Sequence, residues 1–323
     1  MRINSIFVFR LLVAGFVVVG LGVFGAPHAY ATGFSISGFD MFGLLVNNGT
    51  QGGDINTAPV GANIGIGTQQ SGHSVNLHNE IVNGVVDAAQ ASSAGPISGA
   101  SITGTQPCSI GGACPSGSPA RVNYSVASVS SAITAATNLA TYYGSEAGTG
   151  TSISILSGHS QTINATSGHL DSTGTYVFKT TTFGIGNGNT LTINGTRAQY
   201  VVIDVNSGTS NDALDGALKL TGGITANHVL INFMGTGNLQ GAANGATLSG
   251  TFLAPNMGIS LNSLNIDGHV FGGRAGTSFQ FVSNAFIKQP AVPEPASLAL
   301  LSVGVAGLLG VVHRSRRKAG AKA

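Results

Sequence analysis

Tyr200-Val201-Val202-Ile203-Asp204-Val205, then His228-Val229-Leu230-Ile231-Asn232-Phe233, then Leu264-Asn265-Ile266-Asp267-Gly268-His269-Val270-Phe271 decide the fold of this chain. Each is a short run of β-branched and aromatic residues closed by Gly, Asn or Ser, which suits a pleated backbone and is too brief for a helix. Comparable runs stand at Ser152–Leu156, Gln161–Ile163, Thr175–Thr180, Thr190–Asn194, Ala217–Leu220, Ala246–Leu253 and Gly258–Leu261. A β-sandwich and a parallel β-solenoid both produce this spacing. A solenoid stacks one short strand per coil face and turns its corners on Gly and Asn, and a chain with 49 glycines favours it. The expected fold is all-β, a parallel β-solenoid (β-helix-like) with one α-helix packed alongside.

That helix is expected at Ser125–Tyr143. Val126, Val129, Ile133, Ala136, Ala140 and Tyr143 recur at alternating three- and four-residue steps and share one face. Ser125 is placed to cap its start and Gly144 to end it in a left-handed turn. Its other face carries Ser, Thr and Asn without Lys or Arg, so packing on a sheet is favoured over lying on a membrane. On the N-terminal side, Phe34–Asn48, Val60–Gly67, Val75–Asn79 and Ile81–Val86 read as further short strands. Residues 91–120 are rich in Ser, Gly and Pro and read as a long loop or insertion. They hold the two cysteines, Cys108 and Cys114, around a Gly-Gly turn, the pattern of a local disulfide in an exported protein.

The two ends have a different character. Met1-Arg2 precedes an apolar core at Leu11–Phe24, and Ala29-Tyr30-Ala31 offers small residues at Ala29 and Ala31, where a signal peptidase reads. Cleavage after Ala31 would remove residues 1–31. At the other end, Val292-Pro293-Glu294-Pro295-Ala296-Ser297 leads into an apolar run, 298–312, and then His313-Arg314-Ser315-Arg316-Arg317-Lys318. Counted from Ala296 to Val312 the apolar stretch is 17 residues, long enough as a helix at about 1.5 Å per residue to cross a thin bilayer. Arg314, Arg316, Arg317 and Lys318 would stop transfer and stay cytoplasmic. Residues 32–290 then form the exported domain and 291–323 a sorting tail, with its basic end at 313–323.

Removing both ends reverses the charge. Of 13 basic residues two lie in the leader and five in the tail, leaving six, while ten of 11 acidic residues remain. The exported domain is mildly acidic, and no basic patch for nucleic acid survives.

The tail residues Val292–Ser297, with the apolar run and the arginines, closely resemble the PEP-CTERM sorting signal of Gram-negative bacteria. The resemblance implies processing by an exosortase, a transient hold on the inner membrane and a host that makes exopolysaccharide. Asn227–Phe233, Gly250–Asn256 and Ile266–Val270 look like the closing motifs of choice-of-anchor A domains, a family with no established catalytic residues to carry over. The helix-flanked solenoid layout also resembles a family of ice-binding proteins.

Signatures of chemistry are sparse. No Gly-x-Ser-x-Gly elbow occurs, and Gly184-Ile185-Gly186-Asn187-Gly188 is neither a P-loop nor a dinucleotide fingerprint. His73 and His78 lack metal-ligand spacing. Asn211, Asp212 and Asp215 offer hard oxygens that could hold calcium, but depart from known calcium loops, and a solvated turn is the favoured alternative. Asp204 is placed to pair with Arg197 or Lys219. No cofactor is implied. The favoured function is a non-catalytic structural or adhesive surface protein associated with exopolysaccharide or biofilm. A polysaccharide-active enzyme would need paired carboxylates. An ice-binding adhesin would need regular threonines, and Thr180-Thr181-Thr182 and Thr190-Leu191-Thr192 do not continue across coils.

Overall fold

A computed structural model describes residues 33–288, apart from 57–58, 61–62, 72, 74, 79–80, 83–85, 90–96, 99–121, 124–125, 156–158, 243–244 and 283–285. Short parallel strands stack into a solenoid whose coils have three faces. One face is made of Thr149–Gly150, Thr175–Thr180, Tyr200–Val205, Val229–Phe233, the second halves of Thr247–Ala254 and Asn265–Gly272, then Leu44–Val46, Ile64–Ile66, Val86–Ala88 and Val122–Asn123. A second is made of Ile153–Ile155, Phe183–Ile185, Asp212–Leu214, Asn238–Ala242, Gly258–Asn262, Phe279–Val282, Gly53–Asn56, Val75–His78 and Ile97–Ser98. The third includes Gln161–Asn164, Thr190–Asn194, Ala217–Thr221, the first halves of the two eight-residue strands, and Phe286–Lys288.

Order in space differs from order in sequence. The N-terminal coils begin mid-stack, where Leu44 pairs with Val270, and grow toward one end. Helix α1, Ala127–Ser145, then carries the chain back along the side. The remaining coils start at the far end with Thr149–Gly150 and build inward until Asn265–Gly272 meets Leu44–Val46.

Periodicity explains the two kinds of strand. On the helix-covered face alternate side chains point into the solenoid or under α1, so Leu44–Val46, Ile64–Ile66 and Val229–Phe233 are buried throughout and read as continuous apolar runs. An inward column runs in register through Phe178, Ile203, Ile231, Phe252, Val270, Leu44, Ile64 and Val86. Outward, Val177, Val202, Leu230, Leu253, Phe271 and Leu45 pack with Val129, Ala132, Ile133, Ala136, Ala140 and Tyr143 of α1. The alanines of that stripe let the helix lie close to the sheet. Its apolar face is the one expected from spacing.

Glycine stands where two backbones must touch. Gly250 and Gly268 are register partners at the bend between the third face and the helix-covered face, with φ of 146° and 153°. A Cβ on Gly268 would lie 1.8 Å from the Gly250 carbonyl oxygen. Only glycine permits this approach.

Several expectations need correction. The helix starts two residues later than expected, with Val126 as an uncapped N-terminal residue, and Ser125 falls outside the described residues. Gly144 stays inside the helix and Glu146 follows in extended conformation. Lys179 Nζ donates to the Gly144 carbonyl oxygen at 2.9 Å, which satisfies an end that a left-handed glycine would otherwise close. Within 34–48 only Leu44–Val46 is a strand. Phe34, Ile36, Phe39 and Phe42 instead fill the space beside α1 from a chain of turns. Phe183–Ile185, Asp212–Leu214, Asn238–Ala242 and Phe279–Val282 were not expected as strands. The first two were obscured by flanking glycines and carboxylates.

Candidate functional site

On the second face of the solenoid the register aligns one outward strand position per coil, and most of these positions are polar. Ser154, Gly184, Ala213, Gln240, Ser260, Gln280, Asp54, Asn76 and Ser98 follow one another across the sheet as direct strand partners. At about 4.8 Å between strands, these nine positions span roughly 38 Å. Asp54 is the single charged residue in the row. Asn76 Nδ2 donates to Asp54 Oδ1 at 3.0 Å, and Ser260 Oγ donates to Gln280 Oε1 at 3.4 Å. Parallel columns add Asn238 beside Gly258, and Ala242, Asn262 and Val282. Behind the row Leu239, Ile259, Leu261, Phe279, Phe281, Ile55, Val75 and Leu77 hold the sheet rigid from inside.

The row was missed in sequence. Its signal is a polar residue flanked by two inward positions, as in Leu239-Gln240-Gly241, Ile259-Ser260-Leu261 and Phe279-Gln280-Phe281. Period-two alternation in such short runs is outweighed by the glycines around them. Chemically the face offers amide and hydroxyl donors and acceptors on a flat, nearly uncharged surface, which suits many weak hydrogen bonds to an extended neutral partner.

The carboxylates do not converge. Asp212 is buried at the register position beside the core residue Leu239, where Ser207 Oγ donates to it at 2.7 Å and the Phe183 amide at 3.2 Å. Asp215 accepts from the Ala242 amide at 2.9 Å. The solvated turn expected at Asp212 is therefore a strand whose carboxylate caps a corner from within. Among the described residues, no group of three or more His, Cys, Asp or Glu is arranged to hold a metal ion. His73 is exposed. Thr192 lies on the third face between Thr162 and Lys219, so no threonine row forms there.

Asp204 pairs neither with Arg197 nor with Lys219, as expected from sequence, but with Lys179 at 3.0 Å. Lys179, Asp204 and Asn232 are successive register partners under the C-terminal end of α1. Asn232 Nδ2 donates to Asp204 Oδ1 at 2.7 Å and to the Ala140 carbonyl at 2.9 Å, tying helix to sheet. Burial pushes the Asp204 carboxyl above its ordinary value of 3.8, and the Lys179 and Asn232 hydrogen bonds pull it partly back. A raised folded value means that its contribution to stability is full below 3.8 and is lost as pH rises through the folded value. Asp204→Asn is therefore expected to lose less stability than the parent between 3.8 and neutrality. Urea midpoints across that range check this, and parallel profiles would refute it. His228 and His269, lowered by burial, act in the opposite direction but equally in both proteins.

The residues expected to direct export and sorting, Ala29, Ala31, Val292–Ser297, Arg314, Arg316, Arg317 and Lys318, lie outside the described residues, as do Cys108 and Cys114. Among the described residues, no helix is long and apolar enough to cross a membrane.

Comparison with known proteins covers both parts of the chain. Residues 16–281 match the ice-binding-like adhesive domain, and residues 291–317 match the PEP-CTERM protein-sorting motif. The match over the body of the chain does not itself carry the choice-of-anchor A name that the closing motifs resemble. No curated protein matches. Similar solved structures include an ice-binding protein from an Arctic yeast, 12% identical, with TM-score 0.46, covering 82% of this chain and 97% of that one. An ice-binding protein of the Antarctic ascomycete Antarctomyces psychrotrophicus is 15% identical, with TM-score 0.45, covering 81% and 100%. The ice-binding protein 1 DUF3494 domain of Shewanella frigidimarina is 14% identical, with TM-score 0.48, covering 79% and 98%. The chain belongs to the ice-binding-like adhesive domain family and ends in a PEP-CTERM sorting motif, the mark of an exported, exosortase-sorted cell-surface protein.

Proposed function

We propose that the exported domain is a non-catalytic adhesin that holds exopolysaccharide, and through it the biofilm, on its flat second face. The observation that carries this reading is the nine-position row from Ser154 to Ser98, aligned by register and bearing one charge. Individually, hydrogen bonds to sugar hydroxyls contribute about 0.5–1.5 kcal/mol net, so attachment depends on repetition. The family's adhesive description supports the same function. Asp204 and Asp212 are each occupied by structural partners, which disfavours a paired-carboxylate hydrolase. Signal peptidase would cleave after Ala31, a Cys108–Cys114 bridge would pin the 91–120 insertion, and an exosortase-like enzyme would act on the tail after a transient hold in the inner membrane.

An ice surface is the second reading, favoured at one end of the row by the small residues Ser154, Gly184 and Ala213. The amides of Gln240 and Gln280, both exposed, interrupt it.

Replacing Gln240 and Gln280 together by Arg should weaken retention of polysaccharide about 10–100-fold, the effect of losing two or three such hydrogen bonds. Retention measured on cells carrying the full chain checks this. Unchanged retention would remove the face from the proposal, and thermal hysteresis in the purified protein would favour ice. Deleting residues 292–323 should release the domain from the cell. If the truncated chain is processed and retained like the full one, the tail does not sort it.

A further inference from the structure

At the corner where the helix-covered face turns into the flat face, the coils leave an open cleft of about 790 Å³. Successive rungs contribute to its wall: Thr151 and Ser152, then Thr180 and Thr181, then Asn206, then Met234. Lys179 and Asp204 also line it, side by side across one strand pairing, beneath the end of α1.

The chemistry of this pair narrows what could enter. An ammonium has three donors, and Lys179 directs two of them to Asp204 Oδ2 and the Gly144 carbonyl. A carboxylate has about four acceptor positions, and Asp204 uses two, for Lys179 and Asn232. Lys179, with 32% of its side chain exposed, therefore keeps one donor for a ligand, while Asp204, 3% exposed, neutralises it from beneath. A hydroxyl of a sugar ring matches that donor by accepting from the ammonium. The lining charges cancel, which gives an acidic or basic ligand no net attraction. Met234 supplies one apolar wall, and the rim hydroxyls of Thr151, Ser152 and Thr181 with the Asn206 amide can bond the remaining ring oxygens.

We propose that this cleft binds a neutral sugar unit, one hydroxyl accepting from Lys179 and its neighbours bonding the rim, so that a polysaccharide lying on the flat face is held at the corner as well. The proposal rests on the adhesive reading of that face but makes a separate claim. Asp204 and Lys179 also secure the helix, so the test uses the rim. Gly150 lines the cleft, lacks a left-handed φ, and a Cβ there would meet nothing within 4 Å, so Gly150→Leu fills the space without touching the core.

The full chain in detergent micelles is titrated calorimetrically with maltotetraose, cellotetraose, mannotetraose and tetragalacturonate. At least one neutral tetrasaccharide should bind saturably. Gly150→Leu should weaken it by tenfold or more with an unchanged unfolding midpoint, while Thr181→Val causes a smaller loss. The Gln240→Arg, Gln280→Arg protein should bind the tetrasaccharide as the parent does. Equal binding by Gly150→Leu, no binding by any neutral tetrasaccharide, or tightest binding of tetragalacturonate would each overturn the cleft proposal. The face would then still be judged by retention on cells. Conversely, cleft binding that survives in a protein whose face variant retains polysaccharide normally would overturn the face and keep the cleft.

Discussion

Gly268→Val is expected to destabilise the domain by about 4 kcal/mol or more, because strain and collision act at one position. Its φ of 153° is one that a β-branched residue rarely adopts. Its added Cβ would stand 1.8 Å from the oxygen of its register partner Gly250, a backbone atom. Rotamer changes give no relief, so the two central coils would have to part. Gly188→Val separates the two causes: Gly188 also has a positive φ, 76°, but a Cβ there meets nothing within 4 Å. That variant should bear the conformational strain alone, about 1–3 kcal/mol. Urea unfolding of the full chain and both variants measures the difference. Equal losses would show that the close approach of the Gly250 and Gly268 backbones does not limit the fold.

Phe271→Ala is expected to cost about 3–5 kcal/mol, the range for deleting a buried aromatic ring. Phe271 is 1% exposed and lies between the sheet and α1, with Leu253 on one neighbouring strand and Leu45 on the other. The cavity would open under the helix and at the seam where the last coils meet the first. Val270→Ala, pointing into the solenoid from the next position, should cost less and leave the helix seated. Hydrogen exchange distinguishes these outcomes. Amides of Ala127–Ser145 should lose protection more than those of Thr175–Thr180 in Phe271→Ala. Uniform loss across both would mean that helix and sheet open together.

Thr175–Thr180, Thr190–Asn194 and Tyr200–Val205 have the expected bounds. The first and last are buried along most of their length and read as runs of Val, Ile and Phe, while Thr190–Asn194 was legible from the alternation of buried Leu191 and Ile193 with polar residues. Helix α1 was legible for the related reason that a single apolar face sets its spacing. Strands of the flat face were harder, since a three-residue alternation such as Asp212-Ala213-Leu214 contains one outward position and a carboxylate that only the structure shows turning inward. The partner of Asp204 was mistaken for the same reason. Register places Lys179 beside it, and register between coils separated by irregular corners cannot be counted from sequence. The discontinuous order of coils was also invisible, because no local pattern records that Leu44 will meet Val270. The sorting tail needed no tertiary information, its parts being contiguous.

The position of the seam has a mechanical consequence for a cell-surface protein with a C-terminal sorting motif. Tension applied from the side of that motif would first reach Phe286–Lys288, which pairs with Asn265–Asp267 and adjoins Pro59–Val60. These strands belong to the middle of the stack. Load then passes into Asn265–Gly272, held along all eight residues by Thr247–Ala254 and on its other edge by Leu44–Val46. A force along such a strand must shear many backbone hydrogen bonds together. An anchor joined to either end of the rod would instead peel one coil at a time.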